Sequence, residues 1–279
     1  MNKIENKVFV ITGSTQGIGK ELANQILKLG GKVVLNSRKK EKISLVNDLL
    51  NQYEDQCFFV AADVTIPKEA EILMSETIVH YGQIDVLINN AGLSGYGQLL
   101  ESDPIAIQEI IKGNILGSIL PTRFALPHLI NSKGKVLFIS SLAAFHGLPG
   151  YSLYSSSKMA LTALYQSLKK ELHQKGVFVG IAYVGFTQND TEKVTFAPNG
   201  SLEKVPERNK YKVATKEKTA HLIIKQIINA KGLKVHSLIG KTAFVMSRLF
   251  PSLLHRIYFN NFYKANHSNQ ISDQAKLSA

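Results

Sequence analysis

The sequence predicts an α/β fold: a mostly parallel, seven-stranded sheet with helices on both faces, followed by a helical C-terminal extension. Three observations predict it. Short apolar runs rich in β-branched residues recur along the chain, and helically spaced apolar residues follow them. The strands are apolar throughout rather than alternating, so both of their faces are covered, as in a parallel sheet. The 279 residues are 44% hydrophobic and 19% charged, ample for a core and too apolar for disorder as the main state.

Lys7–Thr12 reads as the first strand, and Gly17–Leu29 as a helix with Ile18, Leu22, Ile26 and Leu29 on one side. Strands are predicted at Lys32–Leu35, Cys57–Ala62, Ile84–Ile88, Lys135–Ser140 and Val177–Val184, with a seventh over 233–239. Helices are predicted at Glu41–Leu50, Glu69–Val79, Pro104–Leu120 and Ser155–Leu172. No linker divides the early part of the chain, so residues 1–240 read as one dinucleotide-binding and catalytic domain. Within it, the polar stretch 187–212, with Pro198 and Pro206, reads as a mobile lid. Residues 241–279 form a basic tail. Its segment Lys241–Tyr263 reads as an amphipathic helix, kinked or restarted at Pro251.

Composition excludes several classes. A single cysteine, Cys57, rules out an internal disulfide and points to a reducing, cytoplasmic setting. No eighteen-residue apolar run is present, so no ordinary membrane-spanning helix is expected, and the N-terminus does not read as a signal peptide. The net charge of +12 is uneven: residues 1–200 hold 19 basic and 17 acidic side chains, residues 201–279 hold 14 and 4. A basic segment suits nucleic acid, an anionic membrane or an anionic ligand, or is simply solvated. No zinc, helix-turn-helix or aromatic RNA-binding signature accompanies it, so nucleic acid is not expected as a partner.

Between the first strand and helix lies Gly13-Ser14-Thr15-Gln16-Gly17-Ile18-Gly19. Glycines at a strand-to-helix turn let the backbone approach a pyrophosphate, which then meets the free N–H groups and positive dipole end of the helix. A tight turn is the ordinary alternative. The second strand ends at Ser37-Arg38-Lys39-Lys40 with no acid before Glu41. An acid there would accept a ribose 2′-hydroxyl, whereas a hydroxyl and a guanidinium suit a 2′-phosphate, so NADP(H) is preferred with NAD(H) as the alternative. Asp63 and Val64 follow the third strand, where adenine would pack.

Tyr154 and Lys158 stand four residues apart, on one face of a helix. A phenol ionises near pH ~10, and a neighbouring ammonium lowers that value. Tyr154 can then exchange a proton with a carbonyl or alcohol oxygen near neutral pH. A lone Tyr-x3-Lys pair is weak, but here the sequence resembles the short-chain dehydrogenase/reductase family. Thr12–Gly19, Asn89-Asn90-Ala91-Gly92, Asn114 with Gly117, Ser140-Ser141, and Tyr154 to Lys158 fall in the family's order, with Ser141 thirteen residues before Tyr154. The resemblance covers about residues 5–185 and implies a doubly wound Rossmann sheet binding a nicotinamide dinucleotide. It assigns Tyr154 as acid/base and Lys158 as the residue that holds the nicotinamide ribose and tunes Tyr154. It further assigns Ser141 to the substrate oxygen, Asn114 to a water-linked proton relay toward Lys158, and Asn90, Ala91 and Gly92 to the cofactor's flank.

The resemblance weakens after the sixth strand. The family's Pro-Gly is Val184-Gly185 here, and Asn189 stands where a carboxamide-binding Thr is expected, leaving Gly185 with Thr187 or Thr191 to serve. Leu142, Ala143, Phe145, His146, Leu148, Tyr151, Phe186 and Phe196 supply a mostly apolar substrate wall. That favours a small hydrophobic carbonyl or alcohol as substrate. Tail and pocket resemble those of 3-ketosphinganine and steroid reductases in the family, which brings in lipid metabolism and a peripheral membrane contact through the tail. The family implies a homo-oligomer, dimer or tetramer. The expected function is NADPH-dependent, reversible carbonyl reduction, with no metal. A non-catalytic dinucleotide-sensing regulator on the same fold is the alternative.

Overall fold

The computed structural model describes residues 3–190, 193–205 and 213–260. Seven strands form one sheet: β1 (Val8–Ile11), β2 (Lys32–Ser37), β3 (Cys57–Ala61), β4 (Val86–Asn89), β5 (Lys135–Ser141), β6 (Phe178–Val184) and, taking the last main-sheet strand out of turn, β9 (Leu233–Val235). Their order is β3-β2-β1-β4-β5-β6-β9 and every pairing is parallel. The register sets Ile11 beside Leu35 and Ile88. The strand order reverses at β1, so the loops after β1 and β4 diverge and open a crevice at the carboxyl ends of the strands.

Helices α1 (Gly17–Lys28), α2 (Asn47–Gln52), α3 (Pro67–Tyr81), α4 (Pro104–Ile111), α5 (Gly117–Ser132), α6 (Ser152–Glu171) and α7 (Lys216–Ile228) cover the sheet. Leu22 and Ile26 of α1 and Ile223, Ile224 and Ile227 of α7 are buried with Phe9, Ile11 and Leu35 on one face. Leu73 and Met74 of α3, Ala125 and Leu129 of α5, and Leu161 and Tyr165 of α6 are buried with Val10, Leu87 and Phe138 on the other. Each fully buried aliphatic side chain contributes about 1.5–3 kcal/mol of transfer free energy. Cys57 is buried in β3, and burial, helped by the charge of Asp48, pushes its thiol up to about 12.

Five elements differ from the sequence expectation. The predicted helix Glu41–Leu50 is a 3-10 segment, Lys40–Val46, leading into α2. The predicted helix Pro104–Leu120 is α4, a π-helical turn at Lys112–Leu116, and then α5 running on to Ser132. The π turn precedes Pro121, which lacks an N–H and crowds the carbonyl four residues back, at Gly117. Part of the predicted mobile lid is a hairpin, β7 (Val194–Phe196) with β8 (Leu202–Lys204), closed by a turn in which Gly200 takes φ +82°. Phe196 N–H donates to Ser94 O, and Tyr96 N–H donates to Phe196 O, which fastens the hairpin to the loop after β4. Residues 191–192 and 206–212 of that lid, Thr191 included, lie outside the described residues.

The predicted strand 233–239 stops at Val235 because Ser237 caps the next helix, its hydroxyl accepting from Gly240 N–H (3.0 Å). That helix, α8, spans Leu238–Leu249, three residues earlier than its predicted start. The backbone breaks at Phe250 and helix resumes over 251–260 with Pro251 at its first position, the predicted restart. Phe244 of α8 packs on Phe145 and Tyr183 at ring-centroid distances of 5.2 and 6.4 Å. Tail residues 261–279 lie outside the described residues.

Candidate active site

The crevice is built from its two loops inward. Thr12, at the end of β1, is buried, and its hydroxyl accepts from the N–H groups of Asn90 and Ala91 (both 3.0 Å). The Asn90 amide donates back to the carbonyls of Thr12 (3.0 Å) and Gly13 (2.9 Å). The loop after β4 is therefore stitched to the loop after β1. Gly13 takes φ +61°, and a Cβ there would lie 2.9 Å from Ala91 Cα. A Cβ at Gly19 would lie 2.6 Å from both Asn90 Nδ2 and the Gly13 carbonyl. Both glycines are required by this close approach of backbones.

The hydroxyl of Ser14 is turned inward, donating to Ile11 O (2.7 Å) and accepting from Asn36 N–H (2.9 Å). Ser14 thus shapes the loop. Thr15 is buried beside it, and Ile18 packs on the α1 core. Gln16 and Gly17 open α1, whose first turn carries no acidic residue and no side-chain cap from Gln16. Asn36, which the motif reading passed over, holds the loop from β2: its Oδ1 accepts from Gly13 N–H (3.3 Å), and its Nδ2 donates to Val60 O and Ala62 O (3.2 and 2.9 Å).

At the end of β2, Ser37 is buried and its hydroxyl accepts from Lys39 N–H (3.3 Å). Arg38 is exposed, its guanidinium 3.5 Å from the Glu109 carboxylate of α4. Burial, then the charges of Lys39 and Arg38, lowers the Lys42 ammonium from its usual range, so three cations crowd this strand end. Lys42 carried no signal in the sequence because its proximity comes from the 3-10 segment. Asp63 caps the loop after β3, accepting from Thr65 N–H and Oγ1 (2.9 and 2.7 Å), and Val64 is buried.

The chemical centre sits on the opposite wall. Asn114 lies in the π-helical turn and is fully buried. Its Oδ1 accepts from Leu93 N–H (2.7 Å), and its Nδ2 donates to Leu93 O and Ser157 Oγ (both 2.9 Å). Such turns re-aim a side chain within a helix and recur at functional sites. Lys158 on α6 is buried, donates to Ile139 O (3.2 Å), and holds its ammonium 5.8 Å from the Tyr154 ring centroid. Desolvation, with a smaller contribution from Lys193, lowers Lys158 to about 8. A Cβ on Gly92 would lie 2.8 Å from Asn114 Oδ1 and 3.2 Å from Lys158 Nζ, so both polar groups converge where Gly92 leaves room. Ser141 ends β5, its hydroxyl accepting from Ala143 N–H (3.3 Å), and α6 packs on the turn that follows. The structure thus brings Asn114, Ser141, Tyr154 and Lys158 to one end of the sheet.

Beyond β6 the predicted residues face inward. Gly185 abuts Ser237, with 3.0 Å left for a Cβ, and the buried Thr187 hydroxyl meets Gly185 O (3.3 Å) and Thr219 Oγ1 (3.1 Å). Among the predicted substrate-wall residues, Phe145 belongs to the core with Tyr183 and Phe244, and Ala143 is buried. Tyr151 and Phe186 are exposed. His146 stacks on Tyr258 (5.0 Å, 12°) and lies 5.6 Å from His255, and burial with that second imidazole lowers its pKa. The helix over 251–260 therefore reaches the loop after β5, a contact that sequence periodicity does not carry.

The described residues fit a dinucleotide. The glycine approach at Gly13 and Gly19 and the α1 N-terminus suit a diphosphate, and the end of β2 gathers positive charge. No group of three or more His, Cys, Asp or Glu side chains that could hold a metal occurs among the described residues.

The comparisons agree. The profile of the short chain dehydrogenase family matches residues 7–199. The 11-beta-hydroxysteroid dehydrogenase-like 4A protein of Arabidopsis thaliana is 29% identical over 254 residues, 90% of this chain and 83% of that protein. A short chain dehydrogenase from Burkholderia cenocepacia, solved in complex with NADP, superposes with a TM-score of 0.77 at 22% identity, covering 91% of this chain and 98% of that one. ElxO with NADP bound gives a TM-score of 0.71 at 26% identity, covering 83% and 95%. By the family profile and the fold that carries it, the chain belongs to the short-chain dehydrogenase family of NAD(P)-dependent oxidoreductases.

Proposed function

We propose that the protein is an NADPH-dependent reductase that converts a carbonyl on a hydrophobic substrate into an alcohol, reversibly. The observation that carries this reading is the convergence of Asn114 and the Lys158 ammonium at Gly92, with Tyr154 one helical turn from that ammonium. A bound nicotinamide supplies or accepts the hydride. Tyr154 gives the proton to the carbonyl oxygen, and the Lys158 ammonium favours the negative charge then left on the phenol oxygen. Because desolvation lowers Lys158 to about 8, it exchanges protons near neutral pH and can return one to Tyr154, with Asn114 supporting a water-linked relay toward it. Ser141 offers its hydroxyl to the same substrate oxygen and fixes its position.

The diphosphate is held by the backbone of Gly13–Gly19, with Asn90, Ala91 and Gly92 along the crevice. Asp63 and Val64 border the adenine, and Gly185 and Thr187 shape the nicotinamide end through their packing. Preference for NADPH over NADH rests on Ser37, Arg38, Lys39 and Lys42 clustering at the end of β2.

A hydroxysteroid dehydrogenase-like relative and the apolar approach past Tyr151 and Phe186 support a lipid-like substrate. The C-terminal helices leave Leu238, Ile239, Leu249, Phe250, Leu253 and Ile257 exposed, and Lys241, Arg248 and Arg256 accompany them with no acidic residue between 233 and 260. We assign that face to an anionic membrane surface, from the cytoplasmic side. No helix among the described residues is long and apolar enough to cross a membrane. A homo-oligomer, dimer or tetramer, is supported by the exposed Ile105 of α4, Leu116 of the π turn and Ile119 of α5, and light scattering measures it.

The decisive experiment is turnover of ketones graded by apolar size, with NADPH and NADH. Activity with NADPH that rises with apolar size is expected; an enzyme inert on the whole panel rejects the reading. Arg38→Asp should weaken NADPH about 10-fold or more while sparing NADH; equal effects on both would remove Arg38 from the 2′-phosphate site. Anionic vesicles at low salt should sediment the protein, and no sedimentation would end the membrane assignment.

A further inference from the structure

The N-terminus of α1 is not left to solvent. The Gly17 N–H donates to one carboxylate oxygen of Asp190, a residue 173 positions further along the chain. The other oxygen accepts from the Lys216 ammonium at the start of α7. Gly17 takes φ +60°, and Asp190 is the neighbour that a Cβ there would meet, at 3.6 Å. One carboxylate therefore bridges a helix N-terminal donor and a lysine, and the two donors stand a carboxylate's width apart. Both side chains are partly buried, with 27% and 29% of their surface exposed. Their backbones are tied together: Ala214 N–H donates to Phe186 O and Gln188 N–H donates to Ala214 O (both 2.9 Å). The Thr215 hydroxyl caps α7 by accepting from Lys218 N–H (3.2 Å).

A carboxylate held this way has the charge and donor geometry of a phosphate at a helix N-terminus. We propose that Asp190 is an internal competitor for the cofactor diphosphate, and that Lys216 is a diphosphate-binding residue. Cofactor binding exchanges the Asp190 carboxylate for a phosphate oxygen on the same two donors, Gly17 N–H and Lys216 Nζ. This rests on the dinucleotide reading above and adds to it a residue that limits affinity and a cation that serves both partners. Dissociation is helped by the same pair, because Asp190 is tethered within reach of the donors it reclaims.

Equilibrium binding tests the exchange without turnover, using NADPH by its fluorescence and ADP-ribose and adenosine by calorimetry. Asp190→Asn should tighten NADPH and ADP-ribose by a common factor of about 3–10 and leave adenosine unchanged. Lys216→Gln should weaken both phosphate-bearing probes by a similar factor. Thermal unfolding supplies a second readout: Asp190→Asn should melt lower alone yet gain more on addition of saturating NADPH. If Asp190→Asn binds NADPH no better than wild type while wild type binds it well, the exchange is wrong and Asp190 is a structural cap. If neither protein binds any dinucleotide, the exchange and the reading beneath it fall together.

Discussion

The two walls of the crevice are held by different physics. Around the cofactor and chemical centre, Thr12, Ser14, Asn36 and Asn90 are tied by hydrogen bonds that cross between loops distant in sequence, and Asn114, facing them, has three bonds of its own. On the C-terminal side, α8 and the helix over 251–260 rest on ring contacts of Phe244 with Phe145 and of Tyr258 with His146, and leave a row of apolar side chains in water. Directional bonds fix atoms to the tolerance that proton and hydride transfer require. Apolar contacts are non-directional and can adapt to substrates or a surface of variable shape. The difference teaches where this protein tolerates change.

The largest expected effect is chemical. Tyr154→Phe should lower kcat by about 10²–10⁴-fold while NADPH binding persists; a variant that keeps a tenth of wild-type turnover breaks the assignment of the proton. Next, Asn36→Ala removes the acceptor for Gly13 N–H and the amide donor shared by the Val60 and Ala62 carbonyls. It should cost about 2–4 kcal/mol in denaturant unfolding, and a loss below 0.5 would show that the wall is not held as described.

Lys158 sharpens the comparison through pH. Its folded value of about 8 lies below the ordinary 10.5, so between those values the unfolded chain binds more protons than the folded one. Stability should therefore rise with pH across that window, because burying the charged amine is a cost at and below neutrality. Lys158→Met should abolish activity yet raise stability at pH 7 by roughly 1–3 kcal/mol, with the gain shrinking above pH 9. A variant less stable than wild type at pH 7 would place the amine's hydrogen bond above its desolvation. The smallest effect belongs to the tail: Leu253→Ser with Ile257→Ser should change unfolding free energy by no more than about 0.5 kcal/mol, while reducing sedimentation with anionic vesicles. A large loss of stability would mean these side chains pack on the domain.

The parallel sheet was legible because each strand is a continuous apolar run between turn residues, and β1, β5 and β6 fall within a residue of their predicted limits. The restart at Pro251 was legible because proline has a fixed φ and no N–H. Contacts set by long-range packing were not. The π turn that aims Asn114 inserts one residue into a helix whose periodicity looks ordinary, and the helix α7 lacked a motif to single it out. The Asp190 bridge to Gly17 joins the loops after β1 and β6, three strands apart in the sheet, and nothing local announces it. Phe145 read as pocket wall because an aromatic in a loop looks available; Phe244, from a helix 99 residues later, claims it for the core.

The central claim is that Tyr154, set beside the Lys158 ammonium, protonates a carbonyl while the cofactor reduces it. Its most direct test is isotope transfer from NADPH carrying deuterium at C4, run on the best ketone of the graded panel with each C4 epimer. The alcohol should carry one deuterium at its carbinol carbon with a single epimer, and Tyr154→Phe should form it about a hundredfold more slowly or worse. Alcohol formed without deuterium from either epimer, or formed equally fast by the phenylalanine variant, would contradict the account.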